Sequence, residues 1–155
     1  MKKSLDRALG AILIFLMAVM VIAVLWQVFS RYVMQSPSSV TEEMARYLLI
    51  WIGILGAAYA AGQQEHLSIN LLEEKCNEKN RKRLRIGINV LVIFFCLTVL
   101  IIGGGNLVYV SYDLGQRSAA LEIPLYVVYM VLPLSGLLII IYKINEILNP
   151  QKYLV

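Results

Sequence analysis

Residues on which much membrane chemistry depends are scarce in this chain. It has one histidine and two cysteines, and only 15% of its 155 residues are charged. A single histidine cannot supply the paired axial ligands of a helical haem carrier. Cys76 falls in a polar connecting segment and Cys96 inside an apolar run. Neither is placed for the exchange chemistry of a membrane disulfide oxidase, or for a structural disulfide. No Asp or Glu lies in the middle of any apolar run, so the carboxylate that a small proton-driven exporter loads and unloads is missing. No metal or nucleophile constellation can be assembled. The expectation is a chain that is not an enzyme and carries no cofactor.

What the chain does have is apolar length. Hydrophobic residues make up 59% of it, with a mean hydropathy of +0.72, whereas a soluble domain would carry about a quarter charged residues. The apolar content falls into four runs, about 9–29, 44–62, 86–112 and 123–142. Each is near the roughly 20 residues that a helix needs to cross the hydrocarbon core. The runs are continuous rather than alternating, which excludes barrel strands and leaves helices as the spanning form. The expected fold is therefore an all-α integral membrane protein, a single domain over 1–155 with four transmembrane helices. The first run follows Lys2, Lys3 and Arg7 as a signal peptide would, but it ends in WQVFSRYV without a small-residue cleavage site. It reads as a retained anchor.

Basic residues set the expected orientation. Of the fourteen, all but Arg31, Arg46 and Arg117 lie before the first run, between the second and third, or after the fourth. The positive-inside rule then puts both termini and the middle connection in the cytoplasm. The net charge of +4 calls for no nucleic acid, because anionic membrane lipids beside the basic middle segment account for it.

Between the first two runs, YVMQSPSSV favours a turn and then a helix start, with Ser39 or Thr41 as N-cap and Glu42 and Glu43 in the first turn, where the helix dipole favours negative charge. Arg46 follows these glutamates at helical spacing, so one face would gather all three. Such a cluster is either a capped helix start with a snorkelling arginine or a polar anchor for a neighbouring membrane protein. Gly53, Ala57 and Ala61 recur every fourth residue and give a flat face, for packing within the chain's own helices or against an external one.

The segment at about 66–82 keeps Leu67, Leu71 and Leu72 at helical spacing among charges, a pattern suited to a short amphipathic helix on the membrane surface. His66 stands at its start. The third run, with three consecutive glycines at Gly103, Gly104 and Gly105, predicts a tilted helix able to bend or be approached closely. In the outer loop YDLGQRSAALEIP the charges are Asp113, Arg117 and Glu122. Pro124 suits the first turn of the last helix, and Pro133 predicts a kink near mid-membrane.

With catalytic clusters and buried carboxylates missing, the residues point to a membrane-embedded accessory subunit. The competing reading is a stand-alone four-helix protein that self-associates through its small-residue faces as a homo-oligomeric carrier or channel.

The runs TEEMARYLLIWIGILGAAYAAGQQEHLSINLL, QVFSRYV and SAALEIPLYVVYMVLPLSG together resemble the small (DctQ-like) membrane subunit of tripartite ATP-independent periplasmic (TRAP) transporters. The similarity covers nearly the whole chain. It rests most on the neighbourhood of Glu43 and Arg46, on Glu65 and His66 leading into the amphipathic segment, and on the spacing of Pro124 and Pro133. The resemblance implies an importer of bacterial or archaeal inner membranes. A periplasmic substrate-binding protein captures an organic anion, such as a C4-dicarboxylate, keto acid, sugar acid or sialic acid. A large multi-span subunit moves it with sodium, and the small subunit clasps the large one as a stator. On that basis Glu43, Arg46, Trp51, Gly53 and Ala57 are expected at the large-subunit interface, and Gln116, Arg117 and Ser118 at the binding protein.

Overall fold

The structure, a computed structural model, describes residues 2–36, 38–63 and 78–148, with the backbone alone for 2–4, 78–83 and 85. These residues are helical throughout apart from turns and an isolated bridge between Arg117 and Pro124. The elements are α1 (Lys2–Tyr32), α2 (Ser39–Gln63), α3 (Glu78–Phe95), a π-helical stretch π1 (Cys96–Gly103), α4 (Gly104–Asp113), α5 (Leu125–Tyr129) and α6 (Val131–Leu148). They form four helices long and apolar enough to span a membrane, Leu5–Tyr32, Ser39–Gln63, Ile86–Asp113 and Leu125–Leu148. The protein is thus an all-α, four-span membrane protein. The predicted surface helix, with His66, Leu67, Leu71 and Leu72, lies outside the described residues save for its last positions, where α3 has already begun.

Each boundary has a local cause. Gln35 closes the turn after α1 in the left-handed conformation, which a helix end often requires. Ser38, rather than Ser39 or Thr41, caps α2. Its hydroxyl accepts from the Thr41 N–H at 3.5 Å, and its carbonyl from the Glu42 N–H at 3.3 Å. α4 ends in a Schellman motif: Gly115, at φ 58°, donates to the Tyr112 carbonyl, and Gln116 to that of Ser111. Pro133 lacks an N–H and cannot bond Tyr129, the last residue of α5, so the fourth span breaks at Met130. That break lies near the start of the span rather than at its middle.

The spans pack in the order one, two, four, three: α1 on α2, α2 on α6, and α6 on π1 and α3. Lipid is as apolar as leucine, so helix association rests on close backbone approach and on polar bonds. Both are present. A β-carbon on Gly136 would lie 2.9 Å from Leu100 Cβ, and one on Gly62 would lie 2.9 Å from the Tyr142 ring.

Polar bonds close the end that holds both described termini. The Tyr142 hydroxyl, on α6, donates to Asp6 Oδ1 on α1 at 2.7 Å. At the next residue of the same helix, Lys143 Nζ meets Glu146 Oε2 at 3.0 Å, with the two side chains only 3% and 9% exposed. In the sequence Lys143 follows the fourth apolar run; in the structure α6 runs on to Leu148 and Lys143 is buried.

Gly136→Ala should therefore lower the chain's thermal stability in detergent by about 1–3 kcal/mol, the usual cost of an overfilled contact. Gly53→Ala should leave it unchanged, because a β-carbon there meets nothing within 4 Å. Equal effects of the two substitutions would contradict this packing.

Candidate functional site

Glu42 and Glu43 occupy neighbouring positions on α2 and take different roles. Glu42 pairs with Arg46 one turn later, Nη2 to Oε1 at 3.4 Å, with Arg46 and Glu42 67% and 58% exposed. Such a pair contributes little by itself. Glu43 turns the other way, to the loop between spans three and four. Its Oε1 accepts from the Ala119 N–H at 3.2 Å and the Tyr47 hydroxyl at 2.8 Å. Its Oε2 accepts from the N–H groups of Ala120 at 2.8 Å and Leu121 at 3.0 Å. Three consecutive amides on one carboxylate form an anion-binding nest, here filled from within the chain. The predicted single face with all three charges is thereby split between the surface and the nest.

The loop that supplies the nest is rigidly built. The Leu125 N–H donates to the Gln116 carbonyl at 3.0 Å, and the Ser118 N–H to that of Ile123 at 2.9 Å. The Ser118 hydroxyl accepts from the Leu121 N–H at 3.2 Å, and the residue is only 5% exposed. Ser118, expected at a partner surface, is a buried structural residue here. Gln116 and Arg117 do reach the surface. With Tyr112, Gly115, Pro124 and Tyr126 they line a recess of about 210 Å³. Its two tyrosines meet edge to face, with centroids 5.5 Å apart at 79°.

The small-residue stripe of α2 also divides. Leu55, Ala58, Ala61 and Gly62 turn inward and are buried, while Gly53 and Ala57 are exposed. Trp51 is half-buried against the cluster of Leu9, Leu55, Val131 and Tyr142. Of the five residues expected at the large-subunit interface, Arg46, Gly53 and Ala57 are thus uncovered in the isolated chain, and Glu43 and Trp51 are engaged within it. The nest itself was not legible in the sequence, because its donors are backbone amides 76–78 residues from Glu43. Among the described residues no group of three or more His, Cys, Asp or Glu side chains is placed to hold a metal.

The fold and the site define a four-span helical membrane protein whose loop between the third and fourth spans is clamped onto the second by Glu43. Comparison with known proteins makes the class specific. Residues 20–152 match the sequence model of the DctQ component of tripartite ATP-independent periplasmic transporters, and the chain belongs to that family. It is 26% identical over 145 residues to a putative TRAP transporter small permease protein of Haemophilus influenzae, covering 94% of this chain and 88% of that one. It is 25% identical over 160 residues to the sialic acid TRAP transporter small permease protein SiaQ of Vibrio cholerae, covering 99% and 87%. A shorter stretch of 75 residues, 48% of the chain, is 37% identical to part of the sialic acid TRAP transporter permease protein SiaT of Haemophilus influenzae, where it makes up 12% of the length.

Removing the carboxylate in Glu43→Ala should raise hydrogen exchange at the amides of Ala119, Ala120 and Leu121 by roughly tenfold, about the effect of one lost hydrogen bond. Arg46→Ala should leave those amides unchanged. Protection that survives Glu43→Ala would contradict the nest.

Proposed function

We propose that the whole chain acts as one unit, the small membrane subunit of a TRAP importer, and braces a larger transport subunit during sodium-coupled, binding-protein-dependent uptake of an organic acid. The observation that carries this reading is the family match across residues 20–152, which takes in part of the first span and all of the other three. The partner is suggested by the SiaT relative, in which a stretch like half of this chain is a small part of a much longer permease. Sialic acid is the substrate in the names of two relatives. C4-dicarboxylates, keto acids and sugar acids belong to the same chemical class of carboxylates.

In this reading the protein sits in the inner membrane with both termini in the cytoplasm, and the loop at 114–124 faces the periplasm. Arg46, Gly53 and Ala57 meet the large subunit, with Trp51 behind them in the core and Glu43 holding the helix end. The exposed glycine and alanine allow a helix to approach closely, and the Arg46–Glu42 pair strengthens once a partner shields it from water. Gln116 and Arg117 contact the periplasmic binding protein, and the buried Ser118 holds the loop that presents them. A brace of this kind enlarges the membrane footprint of the stationary part of the transporter, so that a moving part has something to move against.

The two contacts separate experimentally. Arg46→Glu or Gly53→Leu should reduce co-purification of the large subunit by roughly tenfold, equivalent to about 1.4 kcal/mol, and reduce uptake with it. Arg117→Glu should leave the membrane complex intact and weaken uptake driven by the loaded binding protein. Full assembly and uptake in Arg46→Glu and Gly53→Leu would contradict the first contact, and normal uptake in Arg117→Glu the second.

A further inference from the structure

Two of the four spans lose regular α-helical winding close to one another. In the third, Cys96–Gly103 winds as a π-helix; in the fourth, the helix breaks at Met130. The two irregularities adjoin. A β-carbon on Gly104, the first residue past π1, would lie 2.8 Å from Leu132 Cβ and 3.3 Å from Pro133 Cδ, just past the break. Between the two irregularities in the chain, α4, the loop and α5 make one connected piece. The Leu125–Gln116 and Ser118–Ile123 backbone bonds and the Tyr112–Tyr126 edge contact hold it together. Glu43 fastens that piece to α2, an unbroken helix.

We infer that the outer ends of spans three and four form a hinged cap, with π1 and the Met130 break as the hinge and Glu43 as the latch. A π-helix that reverts to α winding by one residue turns everything beyond it by about 100° and advances it by about 1.5 Å. The π winding here has its own support. The Thr98 hydroxyl donates to the Phe94 carbonyl at 2.9 Å and the Phe95 carbonyl at 3.3 Å, and the Gly104 N–H is shared between the carbonyls of Ile101 and Val99. Opposite it, Pro133 removes the hydrogen bond that would stiffen the break.

The latch acts at the far end of the lever. Its three amides lie in the loop, and its hydroxyl, that of Tyr47, lies on α2. Gln116, Arg117 and their recess ride on the cap, and Glu43 therefore sets the direction in which they face.

Distances between spin labels test it. Labels at Val40→Cys and Leu114→Cys, both exposed positions, are placed in the full chain carrying Cys76→Ser and Cys96→Ala, in lipid nanodiscs. With Glu43 present one narrow distance is expected. Glu43→Gln should broaden the distribution or add a second distance, and Pro133→Ala in the same chain should narrow it again by restoring the missing N–H. If Glu43→Gln fails to fold by circular dichroism, Glu43→Asp, too short to reach all three amides, takes its place with the same expectation. An unchanged distribution in the Glu43 variant overturns the latch, and broadening that Pro133→Ala does not reduce overturns the hinge.

Discussion

The bonds at Glu43 tie together parts of the chain that the sequence keeps far apart. One carboxylate at the start of the second span satisfies three successive amides in the loop between the third and fourth. Without it the Ala119 and Ala120 amides would turn to water, and that of Leu121 would keep the Ser118 hydroxyl. Held by Glu43, the loop becomes a fixed surface. The exposure of Gln116 and Arg117, the burial of Ser118 and the form of the recess beside Arg117 all follow from a loop that cannot wander. Exposed ion pairs such as Glu42–Arg46 contribute little. A carboxylate filled by backbone amides depends less on side-chain entropy and fixes geometry more firmly.

Inside the lipid the protein is thinly connected. The first and third spans bury only a small share of their residues against the rest of the chain, and the fourth, between the second and third, buries the most. Contact is concentrated where a glycine lets backbones meet, at Gly62, Gly104 and Gly136, and where polar groups pair at the ends. A chain arranged in this way leaves long apolar flanks open to lipid or to a neighbouring helix. That suits the brace proposed above.

Much of the fold was readable from residue order, because a helix in lipid must be apolar for its whole crossing. The composition gave four spans and the all-helical class directly. Pro133 announced a break, although its position depends on the carbonyl four residues earlier and falls nearer the start of the span than its middle. Other features stayed hidden for physical reasons. The nest depends on backbone donors, which carry no residue signature. The burial of Lys143 depends on Glu146 one turn away and on a helix that outlasts its apolar run. Which half of the α2 small-residue stripe faces inward depends on where α6 lies, and spacing along one helix cannot report that. Family membership was legible in the combined motifs, and residues 20–152 match that family.

The brace account stands most directly on what the purified chain does in liposomes under a sodium gradient. Reconstituted alone it should accumulate no organic acid, and accumulation should begin only when the large subunit and the loaded binding protein are added. Sodium-driven accumulation by this chain on its own would contradict the account.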